Sequence, residues 1–120
     1  MNIGKTGAEG EKRVAEYLKS RGCLIAARNY RTRFGEIDVI AEDRTHIIFT
    51  EVKTRREGYL VSGAESVDLH KQRRIRLAAE EFLNKLHIPL EPRFDVAEVT
   101  VYKKADGSDG YRLNYIEGAF

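Results

Sequence analysis

The chain switches between two spacings of apolar residues, and the switches mark out its elements. Ala8, Glu11, Val14, Ala15 and Leu18 recur at three- and four-residue steps and Gly22 supplies a stop, which predicts a helix from about Gly7 to Arg21. Leu24, Ile25, Ala26 and Ala27 then form the apolar body of a strand over Cys23 to Tyr30. Gly35 to Ala41 and Ile47 to Lys53 are β-rich runs separated by the polar break Glu42-Asp43-Arg44-Thr45, the pattern of a hairpin. Between Lys53 and Val67 periodicity disappears, and a loop over about 55–67 is expected to be mobile or ordered by substrate. The helical period returns from Asp68 or His70 to Leu86, with Ile75, Ala78, Ala79, Phe82, Leu83 and Leu86 as its core stripe and Pro89 to close it. Arg93 to Val101 alternates, Ala105 to Gly110 is a turn, and Tyr111 to Ile116 makes a last strand, so a second hairpin is expected at a sheet edge. Helix, three strands, helix, two strands predicts an α/β sandwich with a mixed central sheet flanked by helices, one domain over 1–120.

Composition changes this picture little. Hydrophobic content of 42% and charged content of 33% describe a globular chain with a charge-rich surface. The net charge of +2 says less than its distribution, because Lys53-Thr54-Arg55-Arg56 and Lys71-Gln72-Arg73-Arg74-Ile75-Arg76 concentrate the positive charge. The single cysteine, Cys23, excludes an intrachain disulfide and fits a reducing, cytoplasmic setting. With no long apolar span and no charged-apolar-small leader, neither membrane insertion nor secretion is expected.

Charge placement within the elements carries the chemistry. Asp38 sits inside the first strand of the central hairpin, and Glu51 and Lys53 end the second. Unpaired charge is costly to bury, so such residues need a reason to be there. Glu51 and Lys53 are two apart and share a strand face, and pairing across the turn brings Asp38 near Glu51. Two hard oxygen donors beside a fixed cation are the components of a Mg²⁺- or Mn²⁺-dependent phosphodiester-cleaving site. In that reading Asp38 and Glu51 hold the metal, Glu11 joins them as a third candidate ligand and completes the acid cluster, and Lys53 stabilises developing charge or orients water. The structural alternatives are a buried Glu51–Lys53 or Asp38–Lys53 ion pair, and for Glu11 a first-turn carboxylate favoured by the helix dipole. Arg31 and Arg33, Arg55 and Arg56, and Lys71, Arg73 and Arg74 are the candidate phosphate contacts, against the alternative of solvated surface charge. Lys71 is in phase with Ile75 and Ala78 and so is expected to face the sheet. His46, His70 and His87 are scattered and are read as surface or strand-end residues rather than ligands.

An acid on one strand followed by Glu-x-Lys on the next, here Ile37-Asp38 and Glu51-Val52-Lys53, resembles the PD-(D/E)xK nuclease superfamily, with Ile37 where the motif's name has proline. Gly10-Glu11, Arg28-Asn29-Tyr30-Arg31, Gly35-Glu36-Ile37-Asp38, Phe49 to Arg55 and Lys71-Gln72-Arg73-Arg74 resemble, in order, the YraN-like (UPF0102) family of small bacterial proteins. The resemblance implies a restriction-endonuclease-like fold related to archaeal-type Holliday junction resolvases, with Glu11, Asp38, Glu51 and Lys53 in the active-site places. The functional expectation is a metal-dependent endonuclease acting on nucleic acid, DNA ahead of RNA and branched or damaged DNA included, working as a homodimer. The alternative is a non-catalytic nucleic-acid-binding or scaffold protein that retains the fold.

Overall fold

The computed structural model describes residues 3–58, 67–86 and 89–120. In chain order they form α1 (Ile3–Ser20), β1 (Leu24–Thr32), β2 (Gly35–Glu42), β3 (His46–Arg56), α2 (Leu69–Asn84), β4 (Glu91–Lys103) and β5 (Asp109–Ile116). The strands make one sheet in the order β1-β2-β3-β4-β5. All neighbours are antiparallel except β3 and β4, which run parallel and are joined through α2. A parallel pair needs such a crossover, and its helix lies on one face of the sheet. This is the α/β sandwich with a mixed central sheet flanked by helices that the pattern predicts.

Strand alternation divides the core into two layers. Val39, Ala41, Ile48, Ala97 and Val99 point to one face and bury Val14 and Leu18 of α1, with Cys23 beside them. Ile40, Ile47, Phe49 and Phe94 point to the other and bury Ile75, Ala78 and Ala79 of α2, with Ile37 in the same layer. The predicted α2 stripe is therefore the face that packs, although the helix ends at Asn84 and not at Leu86. On α1 the stripe departs from the prediction at its start. Gly10 is buried and Ala8 is exposed, because the face continued back from Leu18 and Val14 reaches Gly10 and Glu11 and leaves Ala8 to one side.

Gly10 is where α1 crosses β3. A Cβ at this position would overlap the Thr54 side chain, its hydroxyl first. Gly10→Ala is expected to destabilise the fold by about 1–3 kcal/mol, because overpacking outweighs the gain of roughly 1 kcal/mol in helix propensity. Urea unfolding checks this; a variant as stable as the parent would mean that α1 does not need this close approach.

β3 runs past Lys53 to Arg56, so the first residues of the expected loop are strand. The reason is non-local: β4 supplies Thr100 opposite Arg55 and Val101 opposite Arg56. Glu57 and Gly58 form a turn and Val67 leads into α2, while residues 59–66 of that loop lie outside the described residues. β4 begins at Glu91, and Pro92 fits there because β5 pairs only from Val96 onward, so the missing N–H costs no ladder bond on that side.

A fully buried carboxylate, Asp95, lies on the α1 side. Arg93 Nε donates to Asp95 Oδ1 at 3.0 Å and Arg93 Nη2 to Oδ2 at 2.9 Å. The Tyr115 hydroxyl donates to Oδ2 at 2.6 Å and the Gly118 N–H to Oδ1 at 2.9 Å. Tyr115 is then left to accept from Thr50 Oγ1 at 2.9 Å. Burial, followed by the bond to Asp95, holds the Tyr115 hydroxyl well above its ordinary pKa, so it remains a donor. The network ties β3, β4, β5 and the segment after β5 together.

Candidate functional site

The β2–β3 ladder stops at Val39 opposite Thr50. Continued by one step in each direction, the register would bring Asp38 opposite Glu51, but here the strands part. The Asp38 carboxylate fills the opening, accepting the Val52 N–H on Oδ2 at 2.8 Å. A side chain thus takes a donor that the sheet leaves behind. Glu51 continues the face of Ile47 and Phe49 toward α2 and is buried, at 7% exposure. Lys53 follows on the same face by strand alternation and is half-buried.

The parted strands form one wall of an open cleft of roughly 500 Å³, with Asp38 and Glu51 among its lining residues. The opposite wall is the start of α2, where Asp68, His70, Lys71, Arg74 and Ile75 line it. Asp68 caps the helix by accepting the Lys71 N–H at 2.8 Å, which fixes Lys71 in the first turn. From there its side chain reaches across, Nζ lying 2.6 Å from Glu51 Oε1. The rim is the β1–β2 turn. Thr32 Oγ1 accepts the N–H groups of Phe34 and Gly35, Gly35 has φ of 151°, and Arg74 Nε donates to the Phe34 carbonyl at 2.7 Å.

Glu11 approaches the same acids from the α1 side. It lies in the interior of α1, which begins at Ile3 and has no acid in its first turn, so the dipole explanation for this residue does not apply. Burial is the main cause of its raised pKa; Glu36 and Glu51 add to it, while a side-chain hydrogen bond from Asn29 and the charge of Arg28 oppose it. Asn29 has φ of 51°, a left-handed conformation that asparagine tolerates inside β1. Asp38 is pushed up to about 7, first by burial and then by the charge of Glu51; the Val52 N–H opposes this, and Glu11 and Glu36 raise it further. Repulsion among acids is thus a standing property of the site.

Among the described residues, no three His, Cys, Asp or Glu side chains lie close enough to hold a metal ion as they stand. Two carboxylates and an open cleft nevertheless suit Mg²⁺, which keeps several waters and takes one or two carboxylates from a protein. The negative charge that raises Asp38 is what a divalent cation relieves. Glu51 and Asp38 are the donors that fit, with Glu11 near enough to contribute field.

The basic candidates divide. Lys71 and Arg74 line the cleft. Arg73 is exposed on α2. Arg31 Nε is 3.7 Å from Glu36, and the Arg33 guanidinium lies 4.8 Å from the Phe34 ring centroid, both by the rim. Arg55 instead meets Glu98 at 3.2 Å and Arg56 meets Asp109 at 3.3 Å, acids of β4 and β5. Sequence reasoning missed Glu36, Asp68 and the Asn29–Glu11 bond, whereas His70, read as a surface residue, is exposed and lines the cleft. For Asp68 a signal was present, since an Asp three residues before Lys71 at a helix start is a capping position.

The family model described as "Uncharacterised protein family UPF0102" matches residues 10–99, which include Glu11, Asp38, Glu51, Lys53, Lys71 and Asp95. A UPF0102 protein of Alkaliphilus oremlandii is 41% identical over 119 residues, 97% of each chain. One from Caldicellulosiruptor saccharolyticus is 37% identical over 121 residues, covering 100% of both. Among solved structures, SfsA of Pyrococcus furiosus in complex with Ca²⁺ is similar at 17% identity and a TM-score of 0.41, over 96% of this chain and 63% of that one. No helix among the described residues is long and apolar enough to cross a membrane.

Proposed function

This chain belongs to the UPF0102 family, and from the geometry of its cleft we propose that it is a metal-dependent endonuclease hydrolysing phosphodiester bonds in nucleic acid, DNA before RNA. The observation that carries this reading is the meeting of Asp38 and Glu51 where β2 and β3 part, beneath cations contributed by α2. A divalent cation held by the two carboxylates would relieve charge at the phosphorus and supply a polarised water. Lys53, on the Glu51 face of β3, is the group to orient that water or to meet developing negative charge. Arg74 is fixed by the Phe34 carbonyl, so its remaining guanidinium N–H groups are held at the rim to receive a phosphate. Arg31, Arg33 and Arg73 extend this positive border, while Arg55 and Arg56 are paired with acids of β4 and β5.

A domain that only bound or scaffolded would gain nothing from keeping Asp38 and Glu51 in mutual repulsion, and perturbed groups of this kind concentrate at working sites. Cutting both strands of a duplex or junction takes two copies of the site, so the reading includes a homodimer. The test is cleavage of labelled single-stranded, duplex, flap and four-way-junction DNA and of RNA, with Mg²⁺ or Mn²⁺. Glu51→Gln and Lys53→Met should each lower metal-dependent cutting by about 10²–10³-fold, the scale of losing one charge-stabilising group. Cutting that survives both substitutions, or salt-sensitive binding with no cutting by the parent, would refute the assignment.

A further inference from the structure

Lys71 stands on the carboxylate that the proposed metal needs. Its Nζ is 2.6 Å from Glu51 Oε1, and Glu51 is 7% exposed whereas the Lys71 side chain is 49% exposed. The pair is lopsided: the acid is fixed in the sheet and the ammonium sits at the end of a flexible stem that opens on the cleft. We propose that Lys71 is the exchangeable counter-ion of Glu51, a positioning residue that holds this carboxylate until a divalent cation takes it and then turns to the phosphate in the cleft. The inference rests on the metal-dependent reading of the site and adds to it an order of events and a competitor.

Three observations support exchange over a permanent ion pair. Asp38 shares the cleft with Glu51, so one pocket offers two carboxylates that a divalent cation would take together. The Lys71 backbone is held independently, through the cap bond to Asp68, so releasing its side chain costs the helix nothing. Ile75, one turn on, is buried against the sheet, which keeps the start of α2 over the acids whichever partner the ammonium has. Arg74 does not share this role, because its Nε is bound to the Phe34 carbonyl.

Competition for one carboxylate is reciprocal: removing the lysine tightens the metal, and the metal frees the lysine. Mn²⁺ binding is measured calorimetrically on the parent, Lys71→Met and Glu51→Gln, with circular dichroism to show that each is folded. Lys71→Met should bind Mn²⁺ roughly three- to tenfold more tightly, the range for a pair with one half-exposed member, and Glu51→Gln should lose binding. On the unmodified protein, acetic anhydride labelling read by mass spectrometry should show Lys71 acylated several-fold faster with Mn²⁺ than with EDTA, relative to exposed Lys19. Equal or weaker Mn²⁺ affinity in Lys71→Met, or labelling of Lys71 that Mn²⁺ leaves unchanged, overturns the exchange and leaves the metal site standing. Failure of the parent and Lys71→Met alike to bind Mn²⁺ overturns both.

Discussion

Asp38→Asn is expected to make the protein more stable at pH 8 while abolishing metal-dependent cleavage. The Asp38 pKa is about 7 in the folded protein, against 3.8 for an unperturbed carboxyl, chiefly through burial and the charge of Glu51. Between those values the folded state holds a proton that the unfolded state has lost, so stability falls as pH rises from about 4 through 7. Asparagine does not titrate and escapes that loss, and its carbonyl oxygen still accepts the Val52 N–H. The gain should be small at pH 4 and on the order of 2 kcal/mol at pH 8, or several degrees in Tm. Thermal melts in EDTA at both pH values measure it. A gain that is equal at the two would mean that Asp38 ionisation is not what the fold resists. Metal should reverse the ordering, since only the ionised aspartate is stabilised by a cation.

Asp95→Ala should be the most damaging substitution among the buried polar residues, costing about 3–5 kcal/mol, the scale of breaking a buried ion pair on one side. It leaves the Arg93 guanidinium, the Tyr115 hydroxyl and the Gly118 N–H without their shared acceptor. Total stabilities of domains this size run from about 5 to 15 kcal/mol, so the variant should lie near the edge of folding. Equilibrium urea unfolding gives the number; a loss below about 1 kcal/mol would show the network to be ornamental. Asp95→Asn, which keeps acceptor capacity on one atom, should fall between the two.

What the sequence made legible is the local part of this molecule. Periodicity located both helices and all five strands, and a strand's two-residue repeat placed Glu51 and Lys53 on one face. The phase of Lys71 with Ile75 pointed it at the sheet, where it meets Glu51. Glu11 stood out as a charge on an apolar stripe, and its field does reach Asp38. What stayed hidden depends on partners distant in the chain. Thr54-Arg55-Arg56 has no apolar alternation, yet it is strand because β4 lies alongside and Glu98 and Asp109 meet the two arginines. Asp95 interrupts an alternating run, and nothing nearby announces that Tyr115 and Gly118 will bind it. The strand pattern allows an ion pair of Glu51 or Asp38 with Lys53; it gives no sign that Lys71, carried in by a crossover helix, also reaches Glu51.

The parallel pairing of β3 with β4 also bears on when this site comes into existence. Asp38 and Glu51 are carried by β2 and β3, to which β1 and α1 are already joined on one side. The other edge of β3 is paired by residues 91–101, which lie beyond the whole of α2 in the chain. A ribosome must therefore deliver most of the polypeptide before β3 has both of its neighbours. The cleft around the two acids, with α2 as its far wall and β4 behind β3, thus belongs to the finished fold, and so does the crowding of charge that a cation relieves.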